Sequence, residues 1–358
     1  MTNFCPAPWT NRFIRSDGNI SPCCFSTKIY TEADIISLKE SFLLDEKDSR
    51  CQVCWMREAA GLHSPRNDHI NAIGNKTEYI DDIQSTLDVE LISLDVGNYC
   101  NAECIICTGI SSTTRGSWEK LHAGKILNIQ STHNNDNHHK LVDYPNLKTL
   151  TLIGGEPAIH PSTHLILDSF INAGTAKNIC ISLNTNSSKL DQKLIDKLKL
   201  FNILSVTLSI DGAGKYFDYQ RRPLRWEQVR IIAEKWMEIS DNIVINYVVT
   251  AISIWGVNEF INWLETLPVI TQNKCLEIIL TPLTSPSYLR VAVLNEQHRN
   301  SWKDFSINHP LKHEIIQILE NDTYKSTLLP IFKTSMALED ITSKIKFAEI
   351  FPNWNLNG

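Results

Sequence analysis

The feature that most constrains this 358-residue chain is a set of three cysteines placed directly after an apolar, strand-like run. Leu91, Ile92, Leu94 and Val96 lead into Gly97-Asn98-Tyr99, and Cys100, Cys104 and Cys107 follow with C-x3-C-x2-C spacing. Three thiolates on one loop can hold three irons of a 4Fe-4S cluster and leave the fourth iron without a protein ligand. An open metal position is where a substrate or cofactor enters, as at a catalytic zinc site. Zinc is the competing reading, but a structural zinc site takes four ligands, commonly in C-x2-C pairs.

The surrounding pattern predicts the fold that presents this loop. Short apolar, β-branched runs at 89–96, 147–153, 178–183, 204–210, 243–250 and 276–281 read as strands. Several are almost continuously apolar, as expected of parallel strands covered on both faces. Amphipathic segments at 189–200, 226–237 and 257–267 fall between them. Six such alternations predict an α/β chain, a partial (β/α)6 TIM-like barrel with a small, irregular, cysteine-rich N-terminal domain. A doubly wound sheet shares the alternation, so periodicity leaves that alternative open. The expected division is 1–85 for the cysteine-rich domain, 86–300 for the barrel and 301–358 for a helical C-terminal cap, with helices at 311–319 and 338–350. A polar stretch at 130–140, with His133, His138 and His139, reads as a solvated insertion.

Charge and composition exclude other classes. The formal charge of −6 gives no general attraction for nucleic acid. No run of 18 apolar residues predicts a membrane span, and residues 1–5 lack the basic and apolar regions of a secretory signal. A cytoplasmic protein is expected. Eight of the ten cysteines fall in the first 107 residues, which in a reducing compartment points to metal ligands rather than disulfides. Cys180 and Cys275 lie at strand positions and read as core residues.

The loop at Cys100, Cys104 and Cys107 resembles the signature of the radical S-adenosylmethionine (SAM) superfamily. The resemblance implies that SAM chelates the open iron and that an electron from the cluster cleaves it. The resulting 5′-deoxyadenosyl radical then removes a hydrogen atom from substrate. It places Ile106 near the adenine. Ile153-Gly154-Gly155-Glu156-Pro157 is similar to the family's Gly-Gly-Glu motif, so Gly154, Gly155 and Glu156 are expected to bind the methionine amino group. The chemistry fits, because glycines permit close backbone approach and a carboxylate accepts from an ammonium. Ser209-Ile210-Asp211-Gly212, with Arg221 and Arg222 downstream, resembles the family's Ser-x-Asp-Gly pattern. Ser209 and Arg222 are carried over as SAM contacts. The alternative for the arginines is a solvated charge pair. Asn184-Thr185-Asn186 ends the third strand, and Asn184 is expected either to line the SAM pocket or to cap the next helix.

The N-terminal cysteines form a second set. Cys5, Cys23, Cys51 and Cys54 resemble an auxiliary-cluster domain of the SPASM/twitch type, with Cys24 the alternative to Cys23. Asp17-Gly18 is a hairpin turn signal that folds 12–14 against 19–21 and brings Cys5 toward Cys23. The resemblance departs from the family in two respects, since such domains usually follow the barrel and this set has one cysteine too many, Cys23 or Cys24. A zinc ribbon is the rival for this set, and a zinc-bearing binding or scaffold protein the rival for the whole chain. Four thiolates would fully ligate an auxiliary 4Fe-4S cluster, which implies electron transfer. The resemblance therefore implies a dehydrogenase or peptide-modifying oxidoreductase acting on a ribosomally made peptide or a small metabolite. It also implies an external electron donor such as flavodoxin or ferredoxin.

Overall fold

The computed structural model describes residues 3–59, 63–73, 89–124, 141, 144–267, 275–351 and 354. The histidine-bearing stretch 130–140 lies outside them. In chain order the described residues form α1 (Ala7–Thr10), β1 (Asn11–Ile14), β2 (Ile20–Ser21), α2 (Glu32–Leu43), α3 (Gln52–Ala59) and α4 (Pro65–Ile73). Then come β3 (Leu91–Asp95), α5 (Thr113–His122), β4 (Thr149–Ile153), α6 (Pro161–Asn172), β5 (Cys180–Thr185), α7 (Gln192–Leu198) and β6 (Ile203–Ser209). The remainder is α8 (Gly214–Gln220), α9 (Trp226–Ile239), β7 (Asn242–Val249), α10 (Val257–Glu265), β8 (Cys275–Pro282), α11 (Glu296–Phe305), α12 (Pro310–Asn321), α13 (Leu329–Thr342) and α14 (Phe347–Ile350). The architecture is α/β, and the alternation of β3 to β8 with helices is the repeat of a partial β/α barrel. The chain divides into two compact units, Met1–Gly97 with Thr132–Ser182 and Asp196–Ile203, and Asn98–Ser131 with Leu183–Ile195 and Leu204–Gly358.

In the first unit, β1 and β2 form the hairpin expected from Asp17-Gly18, with Phe13 opposite Ser21 and Ile14 opposite Ile20. Gly18 takes φ +86°, open to glycine without strain, and the Asp17 carboxylate accepts from Asn19 N at 2.9 Å. The hairpin is not free-standing, because β1 also runs parallel to β3, pairing Asn11 with Leu91 and Ile14 with Leu94. β3 in turn pairs in parallel with β4, Leu91 with Thr149 and Asp95 with Ile153. Burial alternates along these strands. Ile92, Leu94, Leu150 and Leu152 are buried, and their neighbours are only partly covered. Helix α2 starts at a capping box, in which Thr31 Oγ1 accepts from Asp34 N and the Asp34 carboxylate accepts from Thr31 N. Its Ile35, Leu38 and Phe42 share one face and pack on Phe4, Ala7, Trp9 and Ile29.

In the second unit β6 pairs in parallel with β7, and β7 with β8. Strand β8 departs from the doubly covered pattern, with every residue exposed or half-exposed. Cys275 is exposed rather than in the core, and Cys180 is half-buried. The reason is position: β8 is the last strand and has only one strand neighbour. The helix expected at 338–350 is instead two helices. α13 begins earlier, with Pro330 in its first turn, and ends where Ser343 becomes extended (ψ 133°). The Asp340 carboxylate then accepts from Phe347 N at the start of α14. No described helix is long and apolar enough to cross a membrane.

Leu152 is fully buried in β4. Leu152→Ala should lower unfolding free energy by about 2–5 kcal/mol, read from the midpoint of a denaturant titration. An unchanged midpoint would mean that this strand's inner face is not packed.

Candidate functional site

The cysteine loop lies in the second unit and is bracketed on two sides. On one side is the start of α5. Ser112 caps that helix by accepting from Arg115 N, and its hydroxyl donates to Ala102 O at 2.6 Å. Thr113 Oγ1 accepts from Cys100 N at 3.3 Å, and the Thr114 hydroxyl donates to Cys100 O at 2.5 Å. On the other side is the segment that ends α8. Glu103 N donates to Arg222 O at 2.6 Å and Ile105 N to Gln220 O at 2.9 Å. Cys100 and Cys104 are buried, while Cys107 and Ile106 are half-buried.

The loop sits in a cationic setting. A hydrogen bond from the Cys107 thiol holds Cys104 below the usual thiol range, against the effect of burial and with help from Arg221 and Arg115. The same bond, with burial, pushes Cys107 up. Neither Arg221 nor Arg222 is solvated, for both are 6% exposed. Arg221 Nε donates at 2.6 Å to Asp211, a fully buried carboxylate that also accepts from Gln220 and from Val248 N. Asp211 of the Ser-x-Asp-Gly pattern therefore holds the first arginine in place. Arg222 is paired with Glu339, and its Nε makes no hydrogen bond.

Asparagine placement shows a residue that the sequence reading passed over. Asn184 is half-buried within β5. Asn186, just beyond the strand, reaches the cysteine loop, donating to Asn101 Oδ1 at 3.0 Å and lying 3.9 Å from Cys100 Sγ. The motif itself was the signal, but strand alternation puts both asparagines on one face and cannot say which one extends past the strand end. Ser209 is half-buried at the last position of β6. Of the other polar barrel positions, Tyr247 is buried and donates to Ser253 O, Asn246 accepts from Thr281, and Asn98 Nδ2 donates to Gly109 O.

In the first unit, Gly154, Gly155 and Glu156 follow β4. Gly155 N donates to Gly97 O at 2.7 Å. Gly154 has φ +130°, and a Cβ there would sit 2.5 Å from Gly97 O and 2.7 Å from Asp95 Oδ1. Glycine is therefore required by both conformation and space. Glu156 is buried and accepts from Ala158 N at 3.0 Å. Burial raises the Asp95 carboxyl, partly offset by the hydrogen bond from Gly97 N.

The first unit also gathers the N-terminal thiols. Cys5, Cys23, Cys51 and Cys54 line one cavity with Phe42, Arg66 and His69, whereas Cys24 is exposed and does not line it. Burial pushes Cys5 well up, with the other three thiols adding to the effect. Arg66 closes one side, bidentate to Glu58 at 2.9 and 2.7 Å and donating to Phe4 O at 2.7 Å. His69 Nδ1 lies 3.0 Å from Asn11 Nδ2, and burial holds the imidazole below its usual pKa. Among the described residues no three His, Cys, Asp or Glu side chains converge on a single-ion site.

No family model matches the chain. It is 27% identical, over 124 residues, to an AdoMet-dependent heme synthase of Methanosarcina barkeri, covering 35% of this chain and 32% of that one. Among solved structures it is similar to native anSMEcpe with bound AdoMet, at 17% identity and TM-score 0.43, covering 66% of this chain and 63% of that chain. It is also similar to Streptococcus suis SuiB bound to S-adenosylmethionine, at 14% identity and TM-score 0.38, covering 76% and 58%. SuiB has also been solved bound to the precursor peptide SuiA. The chain thus spans about a third of the curated relative and less than two thirds of these two solved chains.

Gly154→Ala should cost about 1–3 kcal/mol through the positive φ and the approach to Gly97, visible as a lowered thermal midpoint. A wild-type melting curve would show that this turn is not held closed.

Proposed function

We propose that the chain is a radical SAM oxidoreductase acting on a ribosomally made peptide or a small metabolite in the reducing cytoplasm. The observation that carries this reading is the buried loop of Cys100, Cys104 and Cys107, clamped on both sides and faced by arginines. Its donor set fits a three-thiolate iron–sulfur site. When bound, such a cluster supplies the electron that cleaves SAM to the 5′-deoxyadenosyl radical, which then takes a substrate hydrogen.

The chain's own residues do the holding and orienting. Cys100, Cys104 and Cys107 ligate three irons, and Asn186 steadies the loop beside Cys100. Glu156 accepts from the SAM ammonium, with Gly154 and Gly155 allowing its approach. Ile106 would lie near the adenine of bound SAM, and Asn184, Ser209 and Arg222 would supply further polar contacts to it. Cys5, Cys23, Cys51 and Cys54 hold an auxiliary 4Fe-4S cluster. Fully ligated by those four thiolates, such a cluster would serve as an electron acceptor when bound. A flavodoxin or ferredoxin supplies the first electron from outside.

Anaerobic purification should give about eight irons per chain with a broad brown absorption. Reduction with dithionite in the presence of SAM should release 5′-deoxyadenosine. The triple variant Cys100→Ala, Cys104→Ala, Cys107→Ala should lose about four irons and all SAM cleavage. Cys23→Ser should lose about four irons of the other set, while Cys24→Ser keeps them all. Zinc without iron, or SAM cleavage by the triple variant, would overturn the proposal.

A further inference from the structure

We propose that Glu339, on the C-terminal helix α13, is the positioning residue of the cysteine loop; its role as a determinant of cluster chemistry rests on the radical SAM reading above. The carboxylate is 2% exposed and joins the two brackets that hold the loop. Toward α5 it accepts from Arg115 Nη1 at 3.1 Å and Nη2 at 2.6 Å. Toward the other bracket it accepts from Arg222 Nη2, and Arg222 Nη1 donates to the Glu339 main-chain oxygen at 2.7 Å. Arg115 lies in the first turn of the helix whose first residues bond Cys100 and Ala102, and Arg222 supplies the carbonyl that takes Glu103 N.

Neighbouring contacts repeat the bridge. Thr342 accepts from the Trp118 indole at 2.7 Å, and Asp340 accepts from the Tyr219 hydroxyl at 3.0 Å. Trp118 is on α5 and Tyr219 on α8, so one turn of α13 ties both brackets together.

The Glu339 carboxylate faces two buried guanidiniums, each with a further carboxylate 3.9 Å from its Nε, Glu119 at Arg115 and Glu103 at Arg222, and a buried charge cluster of this kind is not the arrangement that maximises stability. Replacing such a triad by apolar groups is often neutral or stabilising, whereas deleting one member leaves an uncompensated charge. What the triad supplies is a defined geometry. Each arginine fork has a fixed direction, so a carboxylate that satisfies both fixes the distance between the brackets and with it the span of the loop.

The test uses the full chain. Glu339→Gln keeps the shape and removes the charge. Amide hydrogen exchange across 98–107 in the metal-free protein should rise at least about tenfold, while exchange in β6 and β7 stays at the wild-type rate. In the reconstituted protein, iron on the Cys100 loop should fall by half or more, measured against the triple cysteine variant as zero. The remaining loop cluster should lose the shift of its EPR spectrum on addition of SAM. A second variant, Arg115→Met, Arg222→Met, Glu339→Leu, replaces the triad with apolar groups. It should fold and still show the faster loop exchange. Wild-type exchange at 98–107 in either folded variant would overturn the proposal. If the wild-type loop binds no iron at all, the radical SAM reading fails, and the exchange measurement still decides the positioning role.

Discussion

The reading of this chain depends on main-chain hydrogen bonds that hold one short cysteine loop in place. A cysteine loop has few apolar contacts of its own, so its conformation must be imposed by its neighbours. Here Ser112, Thr113 and Thr114 bond its backbone from the start of α5, and the carbonyls of Gln220 and Arg222 take its amides from the other side. The Cys100 thiol itself accepts from Ala102 N at 3.4 Å and from Asn186 Nδ2 at 3.9 Å. A site built this way can bind a metal group without refolding.

The charge arrangement follows from the same scaffold. Arg221 and Arg222 are adjacent in sequence but point to different carboxylates, Asp211 at the end of β6 and Glu339 on α13. Splitting the pair avoids placing two buried cations against each other without compensation. It also leaves positive charge near Cys104, which favours the thiolate that ligation requires. Asp211 is thus as much a part of the cluster environment as the cysteines, although it touches none of them in the described hydrogen bonds.

Much of the framework was legible in the sequence because it is written in local signals. The six barrel strands fall within three residues of their expected ends, and the Asp17-Gly18 turn makes the expected hairpin. The three cysteines of the loop and the four thiols of the N-terminal cavity were likewise visible as spacing. What was not legible is non-local. Arg115 and Glu339 are 224 residues apart, and nothing in either neighbourhood announces the other. The exposure of Cys275 depends on β8 having one strand neighbour, which an apolar run of eight residues does not encode. Asn186 differs from Asn184 only by lying past the end of β5, and strand ends are the least determined part of a sequence pattern.

The position of the N-terminal thiols before the barrel, a departure from the family resemblance, has a physical explanation in β1. A separate hairpin of this size would be marginal, because two short strands bury too little to order themselves. Pairing β1 with β3 removes that difficulty, since four residues of β1 find ladder partners on the first barrel strand. The Phe4, Trp9 and α2 cluster then covers the other side of the segment that carries Cys5. Cys5 and Cys23 flank a hairpin that belongs to the sheet, and Cys51 and Cys54 are brought to it by α3. The N-terminal thiols can therefore precede the barrel in sequence because their frame is paired with the barrel's first strand. A domain placed after the last strand would have to find its support at the exposed β8 instead.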